Sequence, residues 1–216
     1  MSLNFAFIGV AGYVSPRHLS AINKLGHNLK IAYDVNDNVG ILDKFFPKSL
    51  FYNNFKKFKF NFKKIKKKID YTVITTPNNT HFKYIKFALI NNSNVICEKP
   101  LVLSSNHLKE IKKLEKKYKK KVYSILQLRT LKVVKDLKKN IRLINKNKNY
   151  QVTINYITPR GHWYKSSWKG NSKKSGGILF NIGIHLLDLV CFLFGQYKKY
   201  KIIKKTSSSC VGEVKF

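Results

Sequence analysis

The sequence predicts an α/β fold, a mostly parallel sheet with helices on both faces, followed by a smaller α+β region whose sheet is mostly antiparallel. Three observations predict it. Short apolar runs alternate with helically spaced segments as far as Leu128. The first run breaks into a glycine turn, Gly9-Val10-Ala11-Gly12, and two later runs end at a proline preceded by polar residues, Thr75-Thr76-Pro77 and Glu98-Lys99-Pro100. Proline stops a strand ladder and holds the residue before it extended, so these polar residues belong at the carboxyl ends of strands. In open parallel sheets that edge is where ligands bind.

In chain order, Asn4 to Ile8 reads as a strand, Pro16 to Leu25 as a helix closed by Gly26, and Leu29 to Asp34 as the second strand. Asp70 to Thr76 is the next strand, His81 to Ile90 a helix, and Val95 to Cys97 another strand. Ser105 to Lys119 is an amphipathic helix, and Lys121 to Leu128 closes the series with Gln127 and Arg129 at its cleft-facing end. Residues 1–127 thus form a first domain and 128–216 a second. In the second, Tyr150 to Ile157, Tyr197 to Lys205 and Val211 to Phe216 alternate like strands, and a helix starts at Ile178. Three strands leave edges and a face that a complete sheet would cover, so an incomplete second domain is expected. No fixed-period repeat is present.

The 216 residues are 44% hydrophobic, enough for a globular core, and carry a formal net charge of +33. Of the 43 basic residues only four are arginines, Arg17, Arg129, Arg142 and Arg160, whereas phosphate and base recognition favours the arginine fork. No specific nucleic-acid partner is therefore expected. In the densest run, Lys56 to Lys68, the lysines read as a solvated face and Phe58, Phe60, Phe62 and Ile65 as its inward side. Three scattered cysteines, Cys97, Cys191 and Cys210, suit a reducing compartment and offer no metal spacing. The most apolar long run, Ile178 to Phe194, contains His185 and Asp188, so the chain is expected to be cytoplasmic, with no leader and no membrane span.

The glycine turn fits a dinucleotide-binding fingerprint with Ala11 at its middle position, although a tight-turn role accounts for a Gly-x-x-Gly pair equally well. Asp34 stands 25 positions after Gly9, where a carboxylate accepts hydrogen bonds from ribose hydroxyls and repels a 2′-phosphate, favouring NAD over NADP. The same Asp34 also suits capping of the turn Asp34-Val35-Asn36-Asp37.

The Thr75-Thr76-Pro77-Asn78-Asn79-Thr80-His81 and Glu98-Lys99-Pro100 elements, at this separation, resemble the Gfo/Idh/MocA family of nicotinamide-dependent sugar oxidoreductases. Within it, the stretches from Gly9 to His18, Tyr33 to Asp37, Ile125 to Arg129, Ile157 to Tyr164, Ser167 to Gly170 and Asn181 to His185 are similar to the group that oxidises UDP-N-acetyl-glucosaminuronic acid at C3. The resemblance implies a Rossmann domain whose NAD contacts are Gly9, Ala11, Gly12, Tyr13, Asp34, Asn36, Thr75, Thr76, Pro77, Asn78, His81, Glu98, Lys99 and Gln127. It assigns acid–base work to Lys99 and His185, because hydride removal from a secondary alcohol also requires a group to take the hydroxyl proton. It assigns the substrate to Lys99, Arg129, Arg160, Tyr164, Trp168, Asn181 and His185. Asn181 replaces the aspartate of inositol dehydrogenases, and as i and i+4 on one helix Asn181 and His185 are expected to share a face. His185 paired with Asp188 one turn on is the structural alternative.

The expected substrate is a UDP-sugar acid of surface-polysaccharide biosynthesis, with 2-oxoglutarate as a possible oxidant of the reduced cofactor. Relatives form homo-oligomers and continue beyond the length of this chain. A truncated chain that only binds NAD, and a basic polyanion-binding protein, are the two alternatives from other classes.

Overall fold

The computed structural model describes residues 1–143 and 151–216, which divide into two compact units, Met1–Ile125 and Leu126–Phe216. The first unit runs β1 (Asn4–Ile8), α1 (Ser15–Lys24), β2 (Asn28–Tyr33), α2 (Ile41–Phe45), β3 (Leu50–Tyr52), α3 (Phe55–Ile65), β4 (Tyr71–Ile74), α4 (His81–Ile90), β5 (Asn94–Cys97), α5 (Ser105–Tyr118) and β6 (Val122–Ser124). The six strands form one sheet in the order β3-β2-β1-β4-β5-β6, every pairing parallel. The order reverses between β1 and β4, the switch point at which parallel sheets bind ligands.

Alternation along β1 explains the two layers of core. Phe5 and Phe7 face one side, with Leu19 and Ile22 of α1 and Leu42 of α2. Ala6 and Ile8 face the other, with Phe58 and Phe62 of α3, Ile85 and Leu89 of α4 and Ile111 of α5. Both faces are dry, which is why the strands read as apolar runs rather than alternating ones.

The lysine-rich stretch folds as α3, with Asn54 capping it by accepting hydrogen bonds from the N–H groups of Lys56 and Lys57. Phe55, Phe58 and Phe62 follow helical spacing onto the core, and Phe58 and Phe62 are fully buried. Phe60 does not point inward as expected. Helical period rather than alternation governs the segment, leaving Phe60 60% exposed beneath the Lys64 ammonium at 4.3 Å.

In the second unit a 3-10 turn, Gln127–Thr130, precedes α6 (Lys132–Leu143). Then come α7 (Trp163–Ser166), α8 (Ser172–Ser175), a π-helical turn (Leu179–Gly183), α9 (Ile184–Phe194), β7 (Lys199–Lys205) and β8 (Cys210–Lys215). The hairpin β7–β8 is the antiparallel part that the sequence anticipates. Two expectations are corrected. The last sheet strand ends at Ser124, so Gln127 and Arg129 lie on the following turn, whose backbone bonds from Arg129 to Leu126 and from Leu131 to Leu128 replace a ladder. Residues 151–157 carry no strand, although their composition alternates; Tyr150 lies outside the described residues.

Phe62→Ala should lower stability by about 3–5 kcal/mol in urea unfolding, whereas Phe60→Ala should change it by less than about 1 kcal/mol.

Candidate functional site

The carboxyl edge of the parallel sheet is held by a few buried polar bonds. The Gly9 carbonyl accepts the Thr75 hydroxyl at 2.6 Å and the Ser15 hydroxyl at 2.8 Å, joining the ends of β1 and β4 to the start of α1. Gly9 has φ +95°, and a Cβ there would stand 2.8 Å from the Thr76 methyl and 2.9 Å from Thr75. Glycine is thus required by the close approach of β4 as well as by the turn. A Cβ on Gly12 would lie 3.1 Å from the carbonyls of Gly9 and Thr75. Ser15 was not anticipated as a site residue, since a serine starting a helix looks like an ordinary cap.

Asp34 performs the turn role and extends it. Its Oδ1 accepts the Asn36 N–H at 3.0 Å, closing the turn, and its Oδ2 accepts the Ala11 N–H at 2.9 Å, tying the tip of β2 to the glycine turn. Only 7% of Asp34 is exposed. No side chain caps α1, whose N-cap is Val14. An uncapped helix start beside a glycine turn, with a carboxylate at the end of the next strand, fits the pyrophosphate and ribose hydroxyls of a dinucleotide. Tyr13 and Asn36 are exposed beside this turn.

The second loop, from Thr75 to His81, folds on itself. The Thr80 hydroxyl donates to the Pro77 carbonyl and to the Thr76 hydroxyl, both at 2.7 Å, and Asn78 is 4% exposed. His81 is wholly buried, with Nε2 at 2.8 Å from the Thr76 carbonyl and Nδ1 at 2.9 Å from that of Pro100. Burial pushes its imidazole below the ordinary histidine range, against the opposing pull of those carbonyls and of Glu98. The ring therefore clamps the β4 loop to the Glu98-Lys99-Pro100 element from beneath, rather than presenting a surface to the cofactor as expected.

At the end of β5, the Glu98 N–H donates to the Ile74 carbonyl at 3.0 Å, and His18 Nε2 lies 2.9 Å from the Glu98 carboxylate. Burial alone would raise the Glu98 pKa. The His18 hydrogen bond, the charges of His18 and Lys99 and the Lys99 backbone N–H outweigh it, so the carboxyl titrates below its ordinary value. Lys99 is half-buried, and the peptide joining it to Pro100 is cis. Next to Glu98, burial raises the Cys97 thiol well above its ordinary value.

The remaining candidates belong to the second unit. Arg129 donates from Nε to Asp188 Oδ2 at 2.8 Å and from Nη2 to Oδ1, a bidentate pair on a carboxylate that is 8% exposed. The guanidinium fork read for a substrate anion thus holds Asp188 through Nε and Nη2. Asp188 in turn takes Arg129 as its charged partner. Among the described residues Ser172–Phe194 is long and apolar enough to cross a membrane, yet it contains that paired carboxylate.

Asn181 lies in the π-helical turn and His185 in the first turn of α9, which follows it directly. Asn181 donates to the Lys169 carbonyl at 3.3 Å, and His185 is half-buried. The Arg160 guanidinium sits 5.1 Å from the Tyr164 ring centre, and the Lys169 ammonium 5.7 Å from Trp163 and 5.9 Å from Trp168. Burial, then the neighbouring Arg160, hold Lys169 below the ordinary lysine range. Lys169 escaped the sequence reading because one lysine among so many carries no mark of its own. Two cations on adjacent aromatic rings can receive an anion. Among the described residues no group of three or more His, Cys, Asp or Glu is placed to hold a metal.

Gly9→Ala should weaken NAD binding at least about tenfold in a calorimetric titration, because the added methyl must displace the β4 end and strains a positive φ. A carboxyl held below its ordinary 4.5 stabilises the fold above that pH and loses the contribution as pH falls through the folded value. The stability difference between wild type and Glu98→Gln should therefore be largest near neutrality and shrink as the pH falls below 4.5, as followed by urea unfolding across pH.

Residues 3–125 match the model of the Gfo/Idh/MocA oxidoreductase family, NAD-binding Rossmann fold, and residues 143–210 match that of its C-terminal alpha/beta domain. The WlbA (WbpB) dehydrogenase of Thermus thermophilus, solved with NAD and alpha-ketoglutarate, is 34% identical at a TM-score of 0.90, over 99% of this chain and 69% of that one. The structure of the same enzyme with NAD and UDP-GlcNAcA gives 35% identity and a TM-score of 0.86, over 95% of this chain and 67% of the other. Glucose-6-phosphate 3-dehydrogenase of Bacillus subtilis is 30% identical over 132 residues, 56% of this chain and 36% of that protein. The chain thus spans about a third of the curated relative and two thirds of the solved neighbours. It belongs to the Gfo/Idh/MocA oxidoreductase family, and its first unit is the NAD-binding Rossmann domain of that family.

Proposed function

We propose that the chain oxidises the C3 hydroxyl of UDP-N-acetyl-glucosaminuronic acid with NAD, in the cytoplasm, as a step of surface-polysaccharide biosynthesis. The observation that carries the reading is the 34% identity across 99% of the chain to a dehydrogenase solved with NAD and alpha-ketoglutarate, which a second structure holds with NAD and UDP-GlcNAcA. The Bacillus subtilis relative, a sugar 3-dehydrogenase, supports C3 as the position attacked.

In this reading Gly9, Gly12 and the start of α1 seat the pyrophosphate, and Asp34 receives the ribose hydroxyls while remaining bonded to Ala11 and Asn36. NAD, when bound, supplies the hydride acceptor. Lys99 and His185 share the hydroxyl of the sugar, one taking its proton and the other polarising its oxygen. Arg160 and Lys169, mounted on Tyr164, Trp163 and Trp168, meet the uronate carboxylate or the diphosphate, and Asn181 contacts the sugar. 2-Oxoglutarate serves as the oxidant that regenerates the cofactor, as suits a neighbour solved with that dianion.

Mixing the protein with NAD and UDP-N-acetyl-glucosaminuronic acid should produce NADH absorbance, and Lys99→Ala should lower the rate at least about a hundredfold with NAD affinity retained. Measurable NAD binding without turnover by the wild type would overturn the enzyme reading and leave a cofactor-binding chain.

A further inference from the structure

The start of α1, which no side chain caps, is the part of the glycine-turn region that meets a pyrophosphate, so its placement bears directly on the cofactor. Apolar packing of Leu19 and Ile22 keeps the helix on the sheet, but such contacts have no direction and let a helix slide or turn. Hydrogen bonds do have direction. The first is at Ser15, whose hydroxyl donates to the Gly9 carbonyl at 2.8 Å. One such bond leaves a pivot. His18 Nε2, at 2.9 Å from Glu98 Oε1, lies three residues further on, about 4.5 Å along the helix axis, and a second fixed point at that spacing removes the pivot.

Both partners of this second bond are held. The side chains of His18 and Glu98 are only 15% and 17% exposed, and the imidazole meets the buried Phe7 edge-on, centres 6.2 Å apart. The Glu98 N–H donates to the Ile74 carbonyl at 3.0 Å, and its carboxylate also accepts the Lys99 backbone N–H. The charges of His18 and Lys99 keep that carboxylate ionised, so it can only accept, which places a proton on Nε2. Two residues 80 positions apart thereby tie α1 to the end of β5.

We propose that His18 is a positioning residue for NAD, holding the start of α1, through Glu98, in the orientation that receives the pyrophosphate. It acts through the helix rather than by touching the cofactor. The proposal rests on the NAD-binding Rossmann fold and not on the reading of the substrate.

The test is a calorimetric titration of the folded protein near neutral pH with NAD and with ADP-ribose, which keeps the pyrophosphate and lacks the nicotinamide, alongside urea unfolding of each variant. His18→Leu keeps packing on Phe7 but removes the donor, and should raise the Kd of both ligands about tenfold or more. His18→Gln, which retains a donor nitrogen, should bring both back to within about threefold of wild type. A role in stability alone lowers the urea midpoint of His18→Leu and leaves both Kd values in place, and that result overturns the proposal. A loss confined to NAD, with ADP-ribose unchanged, assigns the effect to the nicotinamide end rather than to α1 and overturns it equally. If His18→Leu does not fold, His18→Asn, whose amide stops short of Glu98, takes its place under the same criteria. Wild-type protein that binds neither ligand overturns the proposal together with the cofactor assignment. No substrate enters the titration, so an absence of turnover, which removes the UDP-sugar reading, leaves this one standing.

Discussion

Two hydroxyls on one carbonyl hold the carboxyl edge of the sheet together. Thr75 and Ser15 both donate to the Gly9 oxygen, and their own hydroxyls lie 3.1 Å apart, so β1, β4 and α1 meet at a single buried point. Buried polar groups are expensive unless they are satisfied, and satisfied ones admit few alternative geometries. From that junction the rest of the cofactor half follows. Asp34 reaches Ala11 from β2, His81 joins Thr76 to Pro100, and Glu98 bonds back to Ile74 through its backbone. Each strand end is thus fastened to a neighbour before any ligand arrives, and such preorganisation lowers the ordering that binding must supply.

The parallel sheet was legible because its strands are dry on both faces and therefore apolar throughout, and because glycine and proline mark where each ends. The site on its carboxyl edge was legible for the same reason. The roles of individual residues were less so. Sequence places Asp34 at the right position for either a turn or a ribose, and the structure uses its two oxygens for the turn and the glycine loop together. His81 belongs to a recognisable motif, yet whether a histidine faces a ligand or lies beneath the loop depends on burial, which spacing alone does not carry. Arg129 and Asp188 are 59 positions apart, and no local pattern announces a pairing at that separation. The π turn before α9 likewise leaves no mark that distinguishes it from an α-helix in an apolar run.

The charge of the chain imposes a second constraint. With 43 basic and 10 acidic residues, few carboxylates are available, and those in buried positions are paired or bonded to the backbone. Asp188 takes Arg129, Asp34 takes two amides, and Glu98 takes His18. Surface lysines instead lie over aromatic rings, as Lys64 over Phe60 and Lys138 over Phe192 at 3.7 Å. Such contacts cover apolar carbon with the lysine stem while leaving the ammonium in water. That lets the fold carry the excess without burying it, and explains why the excess does not by itself mark a partner.

The scarcity of acids bears on Lys99, the lysine proposed for acid–base work. In a chain so rich in ammonium groups, each neighbouring cation disfavours the charged form of another lysine, and burial adds to the effect. Lys169 shows both influences, lying below the ordinary range through burial and the nearby Arg160. A lysine that must exchange a proton near neutrality benefits from the same surroundings, provided no carboxylate cancels them. Glu98 is the neighbouring carboxylate, and its side chain meets His18 of α1 while its backbone N–H bonds Ile74 at the end of β4. The carboxylate also accepts the Lys99 backbone N–H, and the Lys99 charge helps to keep it ionised, so the chain beside β5 is fixed by the same group that its lysine stabilises.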